Sequence, residues 1–171
     1  MGNEEVISCG PFDLLEVIGR GGMARVWRGV HRVERVPVAV KVITDAKARE
    51  PDYHERFERE VQAVAALNHP NVVTVFDYGQ ISEAAARSDA TLVEGSPYLA
   101  MELARGGTLR DHNLIDDWPT LRALLYDILD ALAHAHARDV VHRDIKPENI
   151  LCQVRGRRIR FKLSDFGIAH G

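Results

Sequence analysis

Between residues 12 and 43, three short apolar-rich runs, residues 14–18, 25–30 and 36–43, are divided by one glycine-rich and one charged segment. Such runs bounded by turn residues predict three antiparallel strands. After Pro51 the pattern changes: Phe57, Val61, Val64 and Leu67 or Asn68 recur at three- and four-residue spacing until Pro70, which predicts an amphipathic helix. Residues 72–78 and 98–103 read as two further strands. The polar, Ala/Ser-rich stretch between them, residues 80–97, has no clear period and reads as a mobile loop insertion. Gly106-Gly107 breaks the chain. A second helix is predicted over 119–138, with Leu121, Leu124, Leu125, Ile128, Leu129, Leu132 and Ala135 on one stripe. Residues 150–152 and 159–163 flank Arg155-Gly156-Arg157 and predict a small hairpin.

Composition narrows the class. The 171 residues are 46% hydrophobic and 27% charged, with a net charge of −3, as in ordinary globular domains. That overall balance gives no reason to expect nucleic acid or an anionic membrane as a partner. Cys9 and Cys152 stand far apart without a CxxC pairing, so neither a disulfide framework nor a thiolate zinc site is expected, and a cytoplasmic location follows. The first residues lack a signal-peptide pattern, and Val6 stands where a myristoylation signal needs Ser or Thr. Arg122, Asp127 and Asp130 interrupt the longest apolar helical region, so no membrane segment is expected in this chain.

Several residues could carry chemistry. Gly19-Arg20-Gly21-Gly22-Met23-Ala24 joins two predicted strands, a placement unlike a dinucleotide-binding turn, whose glycines open a helix, or a Walker A loop, which needs Gly-Lys-Ser/Thr. Such a loop can fold backbone N–H groups over phosphate oxygens; an ordinary glycine turn remains the alternative. Strand alternation puts Ala39 and Lys41 on one face and Val38, Val40 and Val42 on the other. Glu60 falls with Phe57, Val61 and Val64 on the core-facing stripe, where a carboxylate is expensive unless paired. An ion pair between Lys41 and Glu60 is therefore expected, the alternative being a rim glutamate with its head in water. His134 and His136 lie two apart on a helix and cannot converge on one metal ion, and His69 reads as part of the turn after the first helix.

The segment His142-Arg143-Asp144-Ile145-Lys146-Pro147-Glu148-Asn149, followed by Asp165-Phe166-Gly167, resembles the eukaryotic-type (Hanks-type) protein kinases, in the HRDxKPEN form of their serine/threonine branch. The wording of the glycine loop looks most like bacterial members. The resemblance spans residues 12–169 and implies an α+β kinase fold: a five-stranded antiparallel N-lobe with one helix, followed by the start of a mainly helical C-lobe. Its divisions are a tail over 1–11, N-lobe and hinge over 12–104, and partial C-lobe over 105–171.

The same resemblance implies roles. Gly19, Gly21 and the main chain to Ala24 would cover ATP phosphates, Ala24 standing where the third glycine is usual. Lys41, held by Glu60, would contact the α- and β-phosphates. Val26, Ala39 and Leu151 would sandwich the adenine with Ile18 at the lip, Met101 would be the gatekeeper, and Glu102 and Ala104 the hinge. Asp144 would serve as base, Lys146 would offset γ-phosphate charge, and Asn149 and Asp165 would hold Mg2+, or Mn2+ in its place. Arg143 would meet a phosphorylated activation segment. The implied partners are ATP and a protein bearing Ser or Thr. Three readings stay open for the chain alone: a fragment of an active kinase, an inactive ATP-binding or protein-interaction module, or a remnant that folds only partly.

Overall fold

The structure is a computed structural model that describes residues 7–111, 115–156 and 158–167. They form two compact units. The first runs up to Val61 and includes Val75–Leu103; the second combines Gln62–Thr74 with the chain from Ala104 onward.

The first unit is built on an antiparallel sheet: β1 (Ile7–Cys9), β2 (Phe12–Arg20), β3 (Ala24–His31), β4 (Pro37–Ile43), β5 (Val75–Gln80) and β6 (Pro97–Glu102). Its order is β1-β2-β3-β4-β6-β5. The sheet has six strands where the sequence suggested five. The extra one, β1, pairs Ile7 with Leu14 and Cys9 with Phe12, within the stretch expected to be a tail. Three residues before Gly10-Pro11 are too few to show a period of two. The backbone turns at Gly10 with φ of 55°, and a Cβ there would lie 2.2 Å from the Tyr98 hydroxyl, so the position requires glycine.

One face of this sheet buries Val38, Val40 and Val42 with Cys9, Phe12, Leu14, Trp27, Tyr98 and Ala100. Ile81, Ala85 and Leu92 belong to the same core. The expected mobile insertion is therefore partly a structural cover, including the short helix α2 (Glu83–Ser88), which the Ser82 side chain caps by accepting a hydrogen bond from the Ala85 N–H at 3.2 Å. Burial, then the Asp77 carboxylate, pushes the Cys9 thiol up to about 12, leaving it an inert core residue.

Helix α1 (Pro51–Ala65) buries Tyr53, Phe57, Val61 and Val64, as the spacing predicts. The strand expected over 72–78 begins later, at Val75, because residues 71–73 are claimed by another strand. In the second unit, the Leu163 N–H donates to the Asn71 carbonyl (2.8 Å) and the Val73 N–H to the Leu163 carbonyl (2.9 Å). That unit contains α3 (Trp118–His136) and the hairpin of β7 (Ile150–Arg155) and β8 (Arg158–Leu163). Asp117 caps α3 by accepting from the Thr120 N–H at 2.7 Å. Asp127, seemingly an interruption of an apolar stripe, accepts from the Phe161 N–H at 2.9 Å. The free edge of β8 is thus met by Asn71, Val73 and Asp127, leaving fewer orphaned backbone groups.

The predicted α3 stripe divides. Leu124, Ile128, Ala131 and Ala135 are buried, whereas Leu125 and Leu129 are 46% and 61% exposed. Across β7, the Cys152 N–H donates to the Gly107 carbonyl at 2.9 Å, and a Cβ on Gly106 would lie 2.2 Å from the Cys152 carbonyl oxygen. Among the described residues no helix is long and apolar enough to cross a membrane.

Candidate active site

In the first unit the sheet register gathers expected site residues. Gly19 lies opposite Val26 and Val26 opposite Lys41; one step along, Ala39 lies opposite Met101. Directly paired residues, and those two apart on a strand, share a face, so Val26, Lys41, Ala39 and Met101 line one side, away from the Val38–Val40–Val42 core. The β2–β3 turn is closed by the Gly21 N–H donating to the Ala24 carbonyl at 2.9 Å. Ile18 is exposed on β2, and Glu102 ends β6 opposite Val38.

Glu60 is half-buried beside the α1 stripe. Burial first, then the Asp45 and Glu60 carboxylates, raises the Tyr53 hydroxyl above its ordinary value, which locates the Glu60 charge near that buried ring. Glu55, by contrast, pairs with Arg59 on the exposed side of the helix.

The second unit holds the denser cluster. Asp144 Oδ2 accepts from Lys146 Nζ at 2.9 Å and from Asn149 Nδ2 at 2.9 Å, and Asn149 Nδ2 also reaches the Asp144 carbonyl at 2.8 Å. The hydrogen bond to Asp144 raises Lys146 above its ordinary value, so the ammonium stays charged at neutral pH. Asn149 lies in a 3₁₀ turn (Pro147–Asn149), its carbonyl accepting from the Ser164 N–H at 2.9 Å and from Ser164 Oγ at 3.2 Å. Asp165 follows immediately, at a φ of 57°. Leu151 is half-buried on β7, and Ala104 is half-buried at the start of this unit's second segment.

His142 ties these pieces together. It is 1% exposed, Nδ1 accepts from the Asp144 N–H at 3.2 Å, and Nε2 meets the Ser164 carbonyl at 2.8 Å. Those partners require the neutral ring with its proton on Nε2. Its ring packs on Phe166 with centroids 4.6 Å apart. Burial lowers its pKa from the ordinary 6.5, against the opposing pull of the Ser164 carbonyl and the Asp144 and Asp165 charges. A depressed histidine contributes stability above pH 6.5 that is lost as pH falls through the folded value, because the unfolded chain takes up the proton first. Thermal denaturation between pH 7 and 5 is therefore expected to show a falling midpoint.

Sequence reasoning did not anticipate this clasp, nor Asn71, whose Nδ2 donates to the Phe161 carbonyl at 2.9 Å. It also missed the pair of Arg110 and Glu148 (2.5 Å), which joins the 3₁₀ turn Leu109–Asp111 to the one bearing Asn149. His69 occupies its expected place in the turn, accepting from the Asn71 N–H at 3.1 Å and meeting Asp130 at 3.2 Å.

The first unit is thus a six-stranded antiparallel sheet with Lys41 on the face opposite its core, and in the second unit one aspartate receives both a lysine and an asparagine. The protein kinase domain family matches residues 12–171, and the chain belongs to that family. Its relatives include bacterial serine/threonine-protein kinases. The chain is 37% identical over 166 residues to the probable serine/threonine-protein kinase PknB of Bifidobacterium longum, covering 95% of this chain and 23% of that protein. It is 34% identical over 164 residues to PrkC of Bacillus subtilis, covering 94% and 23%. Among solved structures, the kinase domain of Mycobacterium tuberculosis PknI superimposes with a TM-score of 0.74 at 26% identity, covering 95% of this chain and 62% of that one. The chain thus spans about a quarter of the length of the curated relatives it matches.

Proposed function

We propose that the chain carries the Mg-ATP-binding and catalytic-loop portion of a kinase domain that transfers the γ-phosphate of ATP to Ser or Thr hydroxyls of proteins. Residues 12–104 would be the N-lobe and hinge, residues 105–171 the start of the C-lobe, and a cytoplasmic site of action suits the two unpaired cysteines. The observation that carries this reading is the Asp144–Lys146–Asn149 cluster, which a purely structural turn has no need to assemble.

Bound ATP would supply the phosphoryl group, and magnesium, or manganese, would neutralise phosphate charge. The donor types suit a hard cation: Asn149 turns its amide nitrogen to Asp144, which leaves its amide oxygen as a possible ligand, and the Ser164–Asn149 hydrogen bonds hold the chain just before Asp165 beside Asn149. Asp144, its Oδ2 fixed by two donors, would orient the substrate hydroxyl and accept its proton. Lys146 would offset charge on the moving phosphoryl group. Lys41, supported by Glu60, would hold the α- and β-phosphates under the main chain of Gly19, Gly21 and Ala24. Ile18, Val26, Ala39 and Leu151 would enclose the adenine, with Met101, Glu102 and Ala104 along its edge.

Calorimetry of magnesium-dependent ATP binding to the purified chain tests this reading, with Lys41→Met and Asp165→Asn beside it. Saturable binding weakened about tenfold or more by each substitution is expected, one decade corresponding to about 1.4 kcal/mol. A folded chain that binds no nucleotide would remove the proposal. A second reading, in which residues 1–171 alone bind nucleotide or a protein without transferring phosphate, is favoured by the exposure of Leu125 and Leu129 on α3. Binding without turnover is its expected signature.

A further inference from the structure

The kinase reading leaves unused a cavity of about 260 Å³ in the first unit, lined by the β1–β2 turn, the β3–β4 turn and β5. Phe12 and Val38, each 1% exposed, form its inner wall, and Val36 and Phe76, 41% and 49% exposed, its apolar rim. Val38 shares the core face of β4 with Val40 and Val42, so the cavity lies on the other side of the sheet from Ala39 and Lys41. It is therefore separate from the candidate nucleotide site. Along the edge strand β5, Val75 pairs with Met101 and Asp77 with Ala100, which leaves Phe76 as the extra residue of a β-bulge. Bulges re-aim side chains, and this one leaves a phenyl ring half in water at the cavity.

Two carboxylates, Glu34 and Asp77, line the same cavity, and among the described residues neither is in an ion pair. Asp77 Oδ1 accepts from the Tyr78 N–H at 2.8 Å, leaving Oδ2 for another donor. Burial, then Cys9 and Asp77, raises the Tyr98 hydroxyl, and burial, then Asp77, raises the Cys9 thiol, which sets the Asp77 charge against the apolar core. A carboxylate so placed is poorly compensated without a counter-charge. Among the described residues no Lys or Arg lines the cavity. Arg32, close in sequence, is held by Asp13 at 3.1 Å. His31 accepts the Glu34 N–H on Nδ1 at 3.1 Å, which requires a neutral ring.

We propose that this cavity binds a small organic cation, a guanidinium or ammonium group on a short apolar stem, with its charge at Glu34 and Asp77 and its body against Phe76 and Val36. A guanidinium offers its N–H fork to carboxylates and stacks on aromatic faces. The volume lies just below the range of about 300–1,000 Å³ usual for drug-sized ligands, which suits a smaller one. An anion would meet two like charges. A metal ion would gain nothing from the phenyl rim, and among the described residues no group of three metal-ligating side chains gathers.

Calorimetric titration of the purified chain with agmatine, beside N-butylurea as a neutral analogue, provides the test. Agmatine should bind saturably, at least tenfold more tightly than the urea, and less tightly as salt is added. Glu34→Gln and Asp77→Asn should each weaken agmatine about tenfold, the loss expected for a hydrogen bond to a charged group. Phe76→Ala should weaken it several-fold. Asp77→Asn keeps an oxygen acceptor for the Tyr78 N–H, and Glu34 and Phe76 are exposed, so an unchanged thermal midpoint without ligand verifies each fold. The same cation could be a free amine or the arginine of a peptide. Titration with acetyl-Ala-Arg-Ala-amide separates them: tighter binding than agmatine assigns a peptide side chain, weaker binding a free amine. Equal affinity for agmatine and N-butylurea, no saturable binding of either cationic probe, or full affinity in both carboxylate variants would overturn the proposal. So would displacement of agmatine by Mg-ATP, which would put the cation at the nucleotide site. Nucleotide affinity in Glu34→Gln and Asp77→Asn should match the parent's, so failure here is distinguishable from failure of the kinase reading.

Discussion

Asp144→Asn is expected to lower phosphate transfer to a Ser/Thr peptide by about 10²–10⁴-fold, the range usual for removing a positioned general base. Mg-ATP affinity should stay within about threefold, less than 1 kcal/mol. The split follows from geometry. An asparagine can keep its Oδ1 toward the Lys146 ammonium and the Asn149 amide, so the two donors that now converge on Oδ2 retain an acceptor. What disappears is the basic oxygen for the substrate hydroxyl. The measurement is steady-state transfer by the protein beside calorimetric ATP binding, and a variant that keeps the parent rate would exclude Asp144 as the base.

The second large effect belongs to a residue outside the expected contacts with nucleotide. His142→Phe keeps a flat ring beside Phe166 but removes the acceptor for the Asp144 N–H and the donor for the Ser164 carbonyl. Each buried group left unsatisfied costs about 1–3 kcal/mol, so a loss of about 2–6 kcal/mol is expected in denaturant unfolding. The variant should also lose the fraction of the acid-dependent destabilisation that comes from this ring, so the parent-minus-variant difference should shrink as pH falls below 6.5. A variant as stable as the parent at neutral pH would show that the clasp contributes little.

The regular elements were legible wherever a period ran long enough. The apolar run over residues 36–43 predicted β4, which is buried on both faces except at Pro37 and Lys41, and the spacing of Phe57, Val61 and Val64 predicted α1, which buries one face only. Failures occurred where stability comes from distant partners. Helix α2 carries a local signal, Ser82 before Glu83 and a run of alanines, but six residues show no apolar period, and Ile81 and Leu92 are drawn inward by a core on other strands. Val72 has strand propensity and forms a single bridge, with Leu163, far away in sequence. Asp127 and Asp130 look like breaks in an apolar stripe until Phe161 and His69 are placed beside them.

The residues of the Asp144–Lys146–Asn149 cluster were legible as a group because they lie within six positions. The Asp144–Asn149 hydrogen bonds close over that short span. The support from Ser164 was not readable, since nothing in the spacing indicates that a histidine will bond a carbonyl 22 residues later.

The β7–β8 hairpin also sets how far along the chain Asp165 stands from Asn149. It leaves directly after Asn149 and returns directly before Ser164, with Ile150 opposite Leu163. An antiparallel ladder brings the chain back to its starting point whatever its length, provided both strands change together. Residues can thus be gained or lost in facing pairs, or at the turn, without moving Asn149 from Asp165, whereas a single added residue in one strand would put the two out of phase. The hairpin is a spacer whose length is free as long as its two strands change together.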